Sequence, residues 1–163
     1  MIPALLQEDL AAARLTMPRA LLRLPRLDPF WAVASYRASR WLRLHGVGPL
    51  AAFVHGWCRA LFGCDVSPLA EIGGGLSLPH PVGVVIGAET RAGRGLTCFA
   101  NVTLGYTGKS IDDLTAPALG DDVTIGAGAV VVGPVRVGDG ARIGANATVV
   151  HDVSARETII GSH

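Results

Sequence analysis

Aliphatic residues recur every six positions through the last hundred or so residues of the chain. From Leu119 the series runs Leu119, Ile125, Val131, Val137, Ile143 and Val149. Four residues after each stands a second row: Val123, Ala129, Val135, Ala141, Ala147 and Val153. The same beat appears upstream in Val66, Ile72, Leu78 and Val84, with Ala70, Leu76, Val82 and Ala88 four residues later. It then slips by two and resumes at Ile86, Ala92, Cys98 and Leu104. Neither a helix, with period 3.6, nor a strand, with period 2, produces this spacing. A six-residue repeat predicts a parallel β-helix in which each hexapeptide is one flat face of a coil. Three faces close a triangular coil of eighteen residues. The first aliphatic of each hexapeptide then points inward and stacks on its equivalents, and the second row fills the remaining interior. Glycine follows the first position at Gly73, Gly87, Gly105, Gly120, Gly126, Gly138 and Gly144, where a coil has to turn a tight corner. A β-sandwich would instead alternate with irregular turn spacing. The expected fold class is therefore an all-β left-handed parallel β-helix, preceded by an α-helical segment.

The helical segment occupies residues 1–62 and the β-helix 63–163. Asp28-Pro29 reads as a helix start, with Asp as cap and Pro in the first turn. The pattern Trp31, Ala34, Ser35, Ala38, Trp41, Leu42 follows and stops at Gly46. A second helix is expected from Pro49 to Gly63, and an earlier one from Ala4 to Arg14. The beat is interrupted over 106–118, a polar, turn-rich stretch that predicts an extended loop, the usual place for function on a solenoid. Gly108-Lys109-Ser110 resembles the tail of a phosphate-binding P-loop, but the upstream glycine is misplaced and no strand–loop–helix context follows.

Composition changes little in this picture. The chain is 50% apolar with a net charge of +1, which gives no nucleic-acid signature. The charge is uneven: residues 1–62 hold eight Arg and three acids, and residues 63–163 hold six basic and ten acidic residues. Arg37, Arg40 and Arg43 are expected on a solvated helix face or subunit contact, and membrane contact is not expected. Cys58, Cys64 and Cys98 are an odd number without framework spacing, so reduced thiols and a cytoplasmic location are expected. Cys98 falls on an inward position of the beat. No signal peptide and no long apolar run is evident. Gly161-Ser162-His163 reads either as native sequence or as a cloning remnant.

The chemistry is expected at His80, at an outward corner of the repeat within Ser77-Leu78-Pro79-His80-Pro81-Val82-Gly83. Histidine is the side chain suited to exchanging a proton near neutral pH. Asp65 lies fifteen residues earlier, almost one coil, where a carboxylate can fix the imidazole tautomer and leave the other nitrogen as a base. His45, His55 and His151 have no such setting and read as structural or surface residues. A carbonic-anhydrase-like metal site would need three converging histidines, and only His80 is well placed in the repeat, so no metal is expected.

From Tyr36 onward the chain resembles the serine acetyltransferase family of hexapeptide-repeat acyltransferases, as a divergent member. The resemblance is carried by Tyr36-Arg37, Trp41-Leu42, Asp65-Val66-Ser67-Pro68-Leu69-Ala70-Glu71-Ile72-Gly73, Leu78-Pro79-His80 and Gly83-Val84-Val85-Ile86-Gly87. It continues through Val102-Thr103-Leu104-Gly105, Thr107-Gly108-Lys109-Ser110, Ile125-Gly126-Ala127-Gly128-Ala129, Val137-Gly138 and Ala141-Arg142-Ile143-Gly144-Ala145. The resemblance implies that His80 is the general base, oriented by Asp65. It also implies that an acceptor hydroxyl attacks acetyl-CoA directly in a ternary complex, with no acyl-enzyme. It places CoA in a groove between neighbouring β-helices of a homotrimer, a hexamer remaining open, against Gly105, Ala127, Ala145 and Arg142.

Three departures stand where the family grips serine, and a fourth, Tyr106, falls at the pocket floor or thioester entry. Pro79 replaces an Asp before the base, and Thr115-Ala116-Pro117 replaces an Arg-His pair before a proline. Thr16-Met17-Pro18 aligns with an Arg-Asp-Pro, and Tyr106 replaces a glycine. A zwitterion needs charged partners. Loss of charge at Pro79, Met17 and Ala116 therefore predicts an O-acetyltransferase whose acceptor is not free L-serine but a sugar of a polysaccharide or a secondary-metabolite intermediate. A genuine serine O-acetyltransferase of cysteine biosynthesis is the alternative. A non-catalytic β-helix scaffold is a second, which the retained His80 and Asp65 argue against.

Overall fold

The computed structural model describes residues 2–22, 29–106 and 116–161. Among the described residues four helices come first: α1 (Ile2–Ala12), α2 (Met17–Leu22), α3 (Phe30–Leu44) and α4 (Gly48–Phe62). Pro49 sits in the first turn of α4, where its missing N–H costs nothing. Gly63 ends that helix in the left-handed conformation, φ +62°. The α3 pattern is the one expected; its proposed cap, Asp28, lies outside the described residues. The six-residue α2 has no counterpart among the sequence expectations, because six residues are too few to show a period. Among the described residues no helix is long and apolar enough to cross a membrane.

Among the described residues thirteen strands of two or three residues follow, all pairing in parallel. Face A stacks β1 (Asp65–Val66), β3 (Val85–Ile86), β6 (Thr103–Gly105), β9 (Val130–Val132) and β12 (Thr148–Val149). Face B stacks β2 (Glu71–Ile72), β4 (Arg91–Ala92), β7 (Ala118–Leu119) and β10 (Arg136–Val137). Face C stacks β5 (Thr97–Cys98), β8 (Thr124–Ile125), β11 (Arg142–Ile143) and β13 (Thr158–Ile159), with Ser77 bridged to Thr97 beneath them. This is the left-handed parallel β-helix with its N-terminal helical segment. One apolar column runs up the inside of each face: Val66, Ile86, Leu104, Val131 and Val149 on A, for example, all buried.

The register locates each irregularity. Val85 pairs with Thr103 and Ala118 with Arg136, eighteen residues apart. Asp65 pairs with Val85, two residues more, so the slip in the beat is an enlarged corner at residues 79–83. Val82, expected inside, is therefore pushed out and is 64% exposed, and Thr90 rather than Ala88 fills the next inward position. Arg91 pairs with Ala118, nine residues more than a regular coil, and that excess is residues 107–115, which lie outside the described residues together with Ser162 and His163. At the other end Val137 bridges Val153. Val153 thus belongs to the first row, not the second, because the last coil is two residues short.

Gly126 shows how closely coils stack. Its N–H donates to Ile143 O at 2.7 Å. A Cβ on it would stand 2.6 Å from Ala145 N and 2.9 Å from Gly144 C, both backbone atoms that cannot swing aside. Gly105, with nothing within 4 Å of the same position, is the control. Gly126→Ala is expected to cost about 1–3 kcal/mol and Gly105→Ala less than about 0.5 kcal/mol, read as the shift in urea midpoint.

One feature of the helical segment corrects the sequence reading. Arg37 is not on a solvated or subunit-facing surface: it is 2% exposed and pairs through Nε with Asp9 Oδ2 at 2.8 Å, itself 0% exposed. The pair joins α1 and α3 to the first coil. Cys58 and Cys64 are both buried, with their sulfurs 3.8 Å apart. The adjacent Cys58 sulfur and burial push the Cys64 thiol up. Cys98 is in the core, where burial pushes its thiol up to about 12.

Candidate active site at the edge between faces C and A

His80 sits in the enlarged corner that joins face C to face A. The corner is enlarged because Pro79 and Pro81 bracket the histidine and Gly83 turns the chain at φ +74°. Backbone bonds stitch it to its neighbours: Gly83 N–H donates to Gly63 O at 2.8 Å, Asp65 N–H to Val84 O at 2.7 Å, and Asn101 N–H to Val82 O at 3.0 Å. The His80 corner and the start of β1 are therefore one stacked edge. His80 is exposed, and among the described residues it has no hydrogen-bond or ion-pair partner.

Asp65 is half-buried, and its carboxylate is engaged from below by α4. Oδ1 meets Nε2 of His55 at 2.9 Å, and Oδ2 faces Nε of Arg59 at 3.4 Å. No bond joins Asp65 to His80 in this chain. The sequence reading had set His55 aside as structural or surface. Its one sequence signal is faint: His55 and Arg59 are four apart, hence on one face of α4, and the helix ends three residues before an acid.

Further up the same edge, Gly128 N–H donates to Ala100 O and Asn146 N–H to Ala127 O, both at 2.9 Å. These bonds set exposed Ala127 and Ala145 in one column above the His80 corner, with exposed Arg142 on the adjoining strand β11. Gly105 and Tyr106 lie instead at the far side of face A, where the chain leaves β6, and Ala116 lies where it returns to β7. Tyr106 is exposed and Ala116 half-buried. Pro79 shares the corner with His80, and Met17 begins α2. Within one chain the candidate positions of the β-helix thus fall along two edges of face A, with Met17 apart on α2, and are not gathered into one pocket. A groove of about 810 Å³ on face B, lined by Arg40, Trp41, Leu44, Glu71 and Arg91 among others, touches neither His80 nor Asp65. Among the described residues no three His, Cys, Asp or Glu converge to hold a metal ion.

An exposed imidazole, one column of small residues and a cation beside it form an arrangement that can accept a proton, let a thin chain approach the backbone and meet a phosphate.

The family profile described as "Bacterial transferase hexapeptide (six repeats)" matches residues 117–151. A protein of Helicobacter pylori named serine acetyltransferase is 39% identical over 157 residues, 96% of this chain and 88% of its own length. The Mycobacterium tuberculosis protein of the same name is 40% identical over 130 residues, 80% of this chain but 56% of its own length, so the chain spans little more than half of that relative. Among solved structures, "Soybean Serine Acetyltransferase Apoenzyme" superposes with a TM-score of 0.88 at 35% identity, covering 99% of this chain and 66% of that one.

These relatives overturn the expectation of an acceptor other than serine. Pro79, Met17, Ala116 and Tyr106 differ from the pattern that carried the resemblance, yet proteins named for serine match the chain through those same regions. The physical reason is that four side chains report contacts that are missing. They do not report the contacts that an assembled site makes through its remaining groups.

Proposed function

Because this chain belongs to the serine acetyltransferase family, we propose that it transfers the acetyl group of acetyl-CoA to the hydroxyl of L-serine. The observation that carries the proposal is the match to the Helicobacter protein across nearly the whole of both chains. His80 acts as general base: it takes the proton of the serine Oγ as that oxygen attacks the thioester carbonyl. The tetrahedral adduct then expels CoA sulfur, which leaves with the proton returned from His80, giving O-acetylserine and CoA. Transfer is direct, and no residue of the protein becomes acylated. Asp65 holds the imidazole in the tautomer that leaves one nitrogen free.

The pantetheine arm of CoA runs along the Ala127 and Ala145 column, where small side chains let it lie against backbone, with Gly105 at the opposite edge and Arg142 meeting a phosphate. That candidate residues occupy two edges of face A supports a homotrimer, in which one copy's edge faces its neighbour's and completes the site. The reaction uses acetyl-CoA of the cytoplasm, and we place the protein there.

The test is thiol release from acetyl-CoA, followed with a thiol reagent, with and without L-serine. Serine-dependent release is expected, with none above background when serine is omitted. Protein that binds CoA but releases none on addition of serine would refute the proposal.

A further inference from the structure

We propose that His55 is a positioning residue for the acyl-transfer site, acting through Asp65 on the base. This rests on the reading of His80 as that base and of Asp65 as the carboxylate that orients it. The observation is the 2.9 Å contact between His55 Nε2 and Asp65 Oδ1, formed between a helix and the first strand of the coil. For this bond His55 carries its proton on Nε2 and donates it to the carboxylate. The His55 side chain is 23% exposed and that of Asp65 38%, so the bond is shielded from full competition by water.

The geometry makes His55 a rigid support. α4 is tied down on both sides of it: Ala51 before it and Cys58 and Phe62 after it are buried, Cys58 Sγ lies 3.7 Å from Ala32 O, and Gly63 N–H closes the helix onto Arg59 O at 3.0 Å. An imidazole has only two side-chain torsions, so a donor on this helix holds Oδ1 at low entropic cost. A carboxylate has about four acceptor positions, so the bond to His55 leaves others open for the base. Arg59, at 3.4 Å from the other oxygen and with a largely exposed side chain, does not fix the carboxylate's angle. An aspartate without His55 would still stand at the start of β1, on the edge that carries the His80 corner. It would turn freely and present its lone pairs to the imidazole only part of the time. A supporting shell of this kind decides whether a catalytic constellation keeps its geometry.

The decisive pair of variants carries the same amide on side chains of different reach. The glutamine amide can reach the place of imidazole Nε2, and the asparagine amide falls short. His55→Asn is expected to lower kcat about tenfold to hundredfold, as loss of orientation does, with KM for both substrates within about twofold. His55→Gln is expected to stay within about threefold of the parent kcat. In an Asp65→Asn background, adding His55→Asn is expected to change kcat by less than about twofold, because the group it acts through is already lost.

A parental kcat in His55→Asn overturns the inference. So does an equal loss in the Asp65→Asn background, or a His55→Gln as impaired as His55→Asn. Should His55→Asn fail to fold, the 15N resonances of the His55 ring in the otherwise unaltered protein carry the test. They are expected to move on Asp65→Asn, and unmoved resonances overturn the contact. His80→Ala separates the two readings: full activity in that variant sinks the base assignment itself, whereas an inactive His80→Ala beside a fully active His55→Asn sinks only the role of His55.

Discussion

Replacing His80 with alanine is expected to lower serine-dependent kcat by on the order of 10³-fold, within the range that a general base supplies. Stability should change by less than about 0.5 kcal/mol. Both expectations come from the same geometry. The side chain is exposed at a corner, has no partner among the described residues, and contributes nothing to the interior columns of the coil. Backbone bonds from Gly83, Asp65 and Asn101 hold the corner, and none of them uses the imidazole. Truncation therefore removes the proton acceptor and little else. Affinity for CoA should survive, because the Ala127 and Ala145 column lies on higher coils. Steady-state kinetics, calorimetric titration with CoA and a thermal melt together check this. A variant that binds CoA and turns over within tenfold of the parent would remove His80 from the chemistry.

The largest loss of stability is expected at Arg37. Its guanidinium makes four hydrogen bonds. Nε and Nη2 donate to the two oxygens of Asp9 at 2.8 and 3.1 Å, and Nη1 and Nη2 donate to the carbonyls of Ile72 and Gly73, both at 2.6 Å. Asp9 also accepts from Leu76 N–H at 2.9 Å. Arg37→Met fills similar volume but leaves a carboxylate in the interior with one neutral donor, and strips two carbonyls of theirs. Removing one partner of a buried pair costs about 3–5 kcal/mol, because the other charge stays behind without compensation. Asp9→Leu combined with Arg37→Met should cost clearly less than Arg37→Met alone costs with Asp9 in place. Urea unfolding of the two variants decides it, and a loss below about 1 kcal/mol for Arg37→Met would show that the pair carries no such penalty.

That pair also marks where reading the chain from sequence ends. The β-helix was legible because each hexapeptide meets the same geometric demand, and a demand repeated coil after coil leaves a period. The slip at residues 79–83 was visible, but its consequence was not. Val82 kept the beat yet is exposed, because the two added residues turn that position outward. Val153 kept a second-row spacing yet bridges Val137, since the shortening of the last coil leaves no local mark. The long helices showed their apolar stripes, and α2 was too short to do so. Arg37 looked like a surface cation because burial of a charge depends on a partner twenty-eight residues away in α1. His55 looked idle for the same reason: the packing of α4 on the first strand is not written in any period. The acceptor was misread because missing charges at Pro79, Met17 and Ala116 are local facts, and recognition of serine belongs to an assembled site.

The central claim is that the exposed imidazole at this corner takes the proton of the L-serine hydroxyl as that oxygen accepts acetyl directly from CoA. Its most direct test is mass-spectrometric analysis of the products formed from acetyl-CoA and L-serine by the parent protein and by His80→Ala. The expected result is O-acetylserine in step with released CoA in the parent and neither in the variant. CoA released without acetylated serine, or acetylated serine formed equally by both proteins, would contradict it.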